Sequence, residues 1–91
     1  MKNTKQLERH FKGIANYRRI DILLLISKWS GLSVDDISES LNCNFKTASE
    51  HTRRLVTAGL VQKEYRGRRV IHSLTLYGKQ IIRFVRTFQH S

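Results

Sequence analysis

Between positions 44 and 69 the chain gathers side chains that hydrogen-bond to oxygens and ring nitrogens. Asn44 is followed by Lys46, Thr47, Ser49, Glu50, His51, Arg53 and Arg54. Lys63, Arg66, Gly67, Arg68 and Arg69 come next, four cations within seven positions around a glycine. Arginine can bond guanine with two parallel donors, and Ser and Thr serve base edges or phosphates. The pairing of hydroxyls with long cationic donors is therefore the chemistry of a polyanion with readable edges. Glu50 is the odd member. It could accept from a cytosine amine, but Lys46 and Arg54 both lie four residues away, and a helix-surface ion pair is the commoner arrangement. His51 has two readings of equal weight, a phosphate contact or packing beside the groove.

Other chemistry is sparse. There is no nucleophile–base–acid grouping, no Gly-rich phosphate loop and no paired-carboxylate site, so catalysis is not expected. No metal or cofactor is expected. Cys43 is the only cysteine. It precedes a helix start, where a thiol could be activated as a redox switch; an inert, half-buried cysteine is the commoner reading. His10 and His72 read as surface and sheet residues rather than ligands. A lone cysteine cannot form an internal disulfide, which fits a reduced, cytoplasmic setting. Residues 1–14 are polar and basic, without the apolar stretch of a signal peptide. No apolar run approaches the ~18–20 residues of a spanning helix.

The 91 residues carry 17 Lys+Arg against 7 Asp+Glu, a net charge of +10. A chain of this length fits one domain and excludes a multi-domain enzyme. With 40% apolar residues it can build a core and is not a disordered basic tail. A domain this small buries only somewhat over ~60% of its unfolded surface, so a partner subunit would help it. The charge is uneven: +5 over residues 1–20, −3 over 21–43, +5 over 44–76 and +3 over 77–91. A general solubility charge has no reason to skip the second quarter, whereas an element facing a polyanion, set on a scaffold, would.

The elements that must position these side chains can be read from periodicity. Leu7, Phe11 and Ile14 recur at steps of four and three, a one-faced helix that Asn3 and Gln6 can cap. Asn16 starts a second helix, Tyr17 to Trp29, apolar on nearly all sides and so expected at the centre. Gly31 ends it. Ser33 to Asp36 reads as a capping box opening a short third helix that reaches about Leu41, with acids in its first turn. After the Asn42-Cys43-Asn44 turn, Asn44 can cap a fourth helix, Phe45 to about Ala58, with Ala48, Thr52 and Leu55 inward and Gly59 as its stop. Two alternating runs, Leu60 to Tyr65 and Arg69 to Leu76, flank an Arg66-Gly67-Arg68 turn. Tyr77, Ile81, Phe84, Val85 and Phe88 stripe a last helix.

The predicted order is α-α-α-α-β-β-α, mainly α with a small β-hairpin: a winged helix-turn-helix. If Ala48, Thr52 and Leu55 face the core, a step of 100° per residue sends Lys46, Glu50, Arg53 and Thr57 outward, flanked by Thr47, Ser49 and Arg54. A helix presented this way fits a major groove. The hairpin tip can follow a phosphate backbone or reach into a minor groove, where arginine is favoured. A merely solvated turn with edge-protecting charges needs fewer cations than the four present.

Several stretches resemble the ArsR/SmtB type of transcriptional repressor. Asn16 to Leu23 (Asn-Tyr-Arg-Arg-Ile-Asp-Ile-Leu) resembles the second-helix signature of that family, and Leu32 to Leu41 its third helix. Ser49 to Val61, with Ser-x-His, Leu and Ala-Gly-Leu-Val, resembles its recognition helix, and Tyr65 to Thr75 its wing. The match covers about residues 14–76 in order and spacing. The resemblance implies a dimeric DNA-binding repressor whose first and last helices build the dimer interface. Leu7, Phe11, Ile14, Ile81, Phe84, Val85 and Phe88 are the residues that would form it. The same apolar stripes could instead close the monomer core. The chain departs from the family's metal-sensing members: Ser33 and Asp35 stand where they carry Cys-x-Cys, and residues 77–91 hold no acid and only His90. Thr52 replaces the family's usual leucine, which is expected to loosen packing.

Taken together, residues 1–91 are expected to form a single winged-helix domain binding double-stranded DNA as a homodimer at an inverted repeat. A winged-helix protein–protein interaction module of a larger complex is the alternative, although such a module has no need of cations on both helix and wing tip. Membrane-surface binding by the first helix is disfavoured by its thin apolar face. The effector, if any, is not legible, and the +5 of residues 1–20 either flanks the DNA or only surrounds the dimer seam.

Overall fold

A computed structural model describes residues 1–90 of the chain. Four helices come first: α1 (Thr4–Ile14), α2 (Tyr17–Lys28), α3 (Val34–Ser40) and α4 (Phe45–Thr57). The strands β1 (Val61–Arg66) and β2 (Arg69–Leu74) follow, then α5 (Leu76–Gln89). This is the winged helix-turn-helix order the periodicity predicts.

Local capping chemistry explains most boundaries. Asn3 and Gln6 close a capping box on α1, and Ser33 and Asp36 close another on α3. Asn16 caps α2, and the Asn44 side chain accepts from the Thr47 N–H at 2.7 Å to cap α4. The turn between α3 and α4 places Asn42 at φ +51°, a left-handed value that asparagine tolerates. The Ser38 hydroxyl braces this turn by donating to the Cys43 carbonyl at 2.6 Å.

The structure revises two details of the hairpin and its exit. The second strand stops at Leu74 rather than Leu76 because Thr75 becomes the N-cap of α5, its Oγ1 accepting from the Gly78 N–H at 3.0 Å. The hairpin loop has two residues, Gly67 and Arg68, since Arg66 already pairs with Arg69. Gly67, at φ +62°, supplies the positive φ that a two-residue loop with glycine first requires. His72 is a sheet residue, as expected, and is buried: its backbone N–H and ring Nδ1 both lie 2.8 Å from the Leu32 carbonyl. Through this bridge, Leu32 adds a short extended stretch to the hairpin and seats the start of α3 beside β2.

The core lies where α2, α4 and the hairpin meet. Ile22, Leu23, Ile26, Ile37, Ala48, Leu55, Leu60 and Val61 are closed to solvent, with Ile82 entering from α5. Burying each large aliphatic side chain is worth roughly 1.5–3 kcal/mol. Ala48, Thr52 and Leu55 do form the inward face of α4. The Thr52 Oγ1, however, is buried without a hydrogen-bond partner among the described residues. At the chain ends the apolar stripes divide. Ile14 and Ile81 pack on the core and Val85 is half-buried, whereas Leu7, Phe11, Phe84 and Phe88 remain 44%, 53%, 52% and 65% exposed.

Candidate nucleic-acid interface

The buried face of α4 determines what its other face presents. Lys46, Glu50, Arg53, Arg54 and Thr57 are exposed, and Thr47 and Ser49 are half-buried along its sides. These side chains form a ridge. Glu50 bridges two neighbours on it, 3.4 Å from Arg53 and 3.3 Å from Arg54. Lys46, the other partner the spacing offered, is not in that pair. Exposed pairs of this kind are worth little and can be exchanged for another anion.

On one side of the ridge the wing stands off to leave a cleft of about 570 Å³. Ser33, Asp35, Ser49, Arg53, Lys63 and Arg68 are among its polar lining, and Val34, Phe45, Val56 and Val70 among its apolar lining. The wing residues Lys63, Arg66, Gly67, Arg68 and Arg69 are all exposed. Two of these cations are engaged within the chain. Arg66 lies 3.4 Å from Glu64, and Arg69, next to the hairpin loop, bonds Asp36 of α3 at 2.7 Å, tying the wing near its tip to the helix-turn-helix. The Asp36 carboxyl is held below the ordinary carboxylate range, first by the Ser33 N–H and hydroxyl and then by Arg69.

His51 is turned away from the ridge. Its Nδ1 accepts from the Arg19 Nε at 3.3 Å. Burial first, then the charge of Arg19, holds its pKa below the usual histidine value. Cys43 is free and half-buried. His10 is half-buried rather than superficial, with Nδ1 2.7 Å from the Ala58 carbonyl at the end of α4. Among the described residues, no group of three or more His, Cys, Asp and Glu side chains could hold a metal ion. No helix among them is long and apolar enough to cross a membrane.

Spacing could not pair Arg69 with Asp36, Arg19 with His51, or His10 with Ala58, because each joins residues more than 30 positions apart. It also left out Arg9, Lys12 and Arg19, which stand near the far side of the ridge; the only trace of them was the unassigned positive charge of residues 1–20.

Comparison with known proteins gives this geometry a family. The family model described as "Bacterial regulatory protein, arsR family" matches residues 16–63, from the cap of α2 into β1. None of the curated proteins matches in sequence. Among solved structures, one that superposes well is the homodimeric winged helix-turn-helix DNA-binding domain of a possible ArsR-family transcriptional regulator from Mycobacterium bovis. It is 26% identical, with a TM-score of 0.85 over 94% of this chain and 80% of that one. HlyU from Vibrio cholerae is also 26% identical, with a TM-score of 0.85 over 99% of this chain and 98% of its own. The transcriptional repressor PagR of Bacillus anthracis shares the fold at 20% identity, with a TM-score of 0.81 over 89% of this chain and 93% of its own. The matched residues include the helix-turn-helix and its polar ridge, and the chain belongs to the arsR family of bacterial regulatory proteins, DNA-binding transcriptional regulators of the winged helix-turn-helix type.

Proposed function

We propose that the protein is a homodimeric transcriptional repressor that reads an inverted repeat. The observation that carries this reading is the α4 ridge, polar and mostly cationic, beside a wing that bears four more cations. In this reading Lys46, Thr47, Ser49, Glu50, Arg53 and Arg54 face base edges and nearby phosphates, with Asn44 capping the helix as it enters the groove. Lys63, Arg66, Arg68 and Arg69 follow the backbone around Gly67. Leu7, Phe11, Ile14, Ile81, Phe84, Val85 and Phe88 form the seam between protomers. Exposed phenylalanines on both terminal helices support that seam, since single domains rarely leave such a stripe to water. The homodimeric state of the Mycobacterium bovis domain and the repressor role of PagR point the same way. The protein would act in the cytoplasm, where bacterial DNA lies.

Selection of bound duplexes from a random pool at near-physiological salt tests the reading. The expected product is a pair of inverted half-sites with centres roughly 10 bp apart, or a multiple of that. Recovery of unrelated sequences with no shared half-site would overturn it.

A further inference from the structure

A helix lying in a major groove has a phosphate strand on each side of it, and the wing accounts for only one side. On the other side of the α4 ridge lies a furrow of about 200 Å³, formed where the end of α1 and the start of α2 meet the second half of α4. Its charged lining consists of Arg9, Lys12, Arg19, Arg53 and Arg54, with no carboxylate among them. We propose that Arg9, Lys12 and Arg19 hold the phosphate backbone on the side of α4 opposite the wing, so that the groove is gripped by both its walls. This rests on the DNA-binding reading above and extends it to a part of the chain that the recognition helix and wing leave out.

Four observations support it. First, α1 is keyed to α4: Gly13 is buried so tightly that an added Cβ would overlap the Ala58 side chain, and His10 bonds the Ala58 carbonyl. The backbone carrying Arg9 and Lys12 is thereby fixed relative to the ridge. Second, Arg19 is oriented from two directions, its Nη1 donating to the Lys12 carbonyl at 3.0 Å and its Nε to His51. Three of its five N–H donors remain for an anion. Third, Arg9 and Lys12 do not belong to the seam. At 100° per residue they lie roughly 130–170° around α1 from the middle of the Leu7, Phe11 and Ile14 stripe. Fourth, the local field is positive. After burial, the charges of Arg19, Arg18 and Arg54 disfavour a proton on His51, opposed by Glu50. The nearby carboxylates are weak competitors: Glu8 meets Lys12 only at 3.8 Å and Glu50 is itself exposed.

The test is a salt titration of binding by fluorescence anisotropy, using the selected operator duplex and a scrambled duplex of equal length. Removing a phosphate contact lowers the slope of log affinity against log salt by about 0.9. R9Q/K12Q removes two contacts from each protomer of the dimer and should therefore flatten the slope by about 3.6 on both duplexes while leaving their affinity ratio intact, and R9K/K12R should restore it. The wing variant R66Q/R68Q serves as the comparator, and size-exclusion mass and thermal melting confirm that each variant is folded and dimeric. An unchanged slope in R9Q/K12Q, with a flattened one in R66Q/R68Q, overturns the inference and spares the DNA reading. A flattened slope that merely follows loss of the dimer overturns it as well. Absence of salt-dependent binding by the unaltered protein removes the DNA reading and this inference together.

Discussion

On the wing side of α4 the cations ride on a two-stranded hairpin, five of whose six β1 residues are exposed and which is pinned near its tip by Arg69–Asp36 and in mid-strand by Leu32–His72. On the other side they ride on helices locked to α4 by a buried glycine and by two histidines. The hairpin's cations thus stand on a part that owes little to the core, whereas those of α1 and α2 stand on the same packing that holds the monomer together. Placing charges on a loop lets their positions change without affecting stability; placing them on packed helices fixes their spacing and makes it costly to change.

The contrast can be broken most severely at Gly13. Gly13→Val should destabilise the fold by roughly 1–3 kcal/mol through overpacking against Ala58. Thermal unfolding would show this, whereas R66Q/R68Q should stay within about 0.5 kcal/mol of the parent. Equal melting temperatures for the two variants would erase the distinction between the walls. Asp36→Ala comes next. It removes half of the α3 capping box together with the Arg69 anchor, and should lower stability by about 1 kcal/mol in denaturant unfolding. Thr52→Val should act in the opposite direction. It replaces a buried hydroxyl that has no partner, and a gain of about 1 kcal/mol is expected with DNA affinity unchanged.

The smallest effect is in pH. A histidine whose pKa is depressed by folding binds fewer protons folded than unfolded. Its stabilising contribution is complete above the unfolded value of 6.5 and is lost as pH falls below it toward the folded value. Asp36, also depressed, adds a loss of the same sign at lower pH, as pH falls from the ordinary carboxylate range toward its depressed folded value. An NMR titration of His51 giving a midpoint at or above 6.5 would contradict the Arg19–His51 arrangement.

The parts of the fold legible in the sequence are those whose cause is local. Asn3, Asn16, Ser33 and Asn44 announce helix starts because a cap and the backbone N–H that donates to it lie within three residues. Ala48, Thr52 and Leu55 reveal the inward face of α4, and therefore its outward one, through a single period. Thr75 escaped the same logic: a β-branched residue continuing an alternating run reads as strand until its hydroxyl is seen capping α5. Of the candidate interface, the α4 ridge and the wing were legible, because their polar side chains lie close together in sequence. Arg9, Lys12 and Arg19 meet Arg53 and Arg54 only after the chain has folded back by some 40 residues. No periodicity spans that distance; only the charge count hinted at it.

Thr75 has a mechanical consequence. Its hydroxyl donates to the Gly59 carbonyl at 2.6 Å and accepts from Gly78, while its own N–H reaches the Leu60 carbonyl at 3.1 Å. Gly78 fits against Leu60 so closely that no side chain could be placed there. The segment leaving α4 and the first turn of α5 therefore behave as one welded joint. In the proposed dimer, α5 is the hinge leaf shared with the partner, so any rotation at that hinge is geared directly to the pitch of α4. In that dimer the span between the two α4 helices would be set at this joint, some distance from the residues proposed to touch bases.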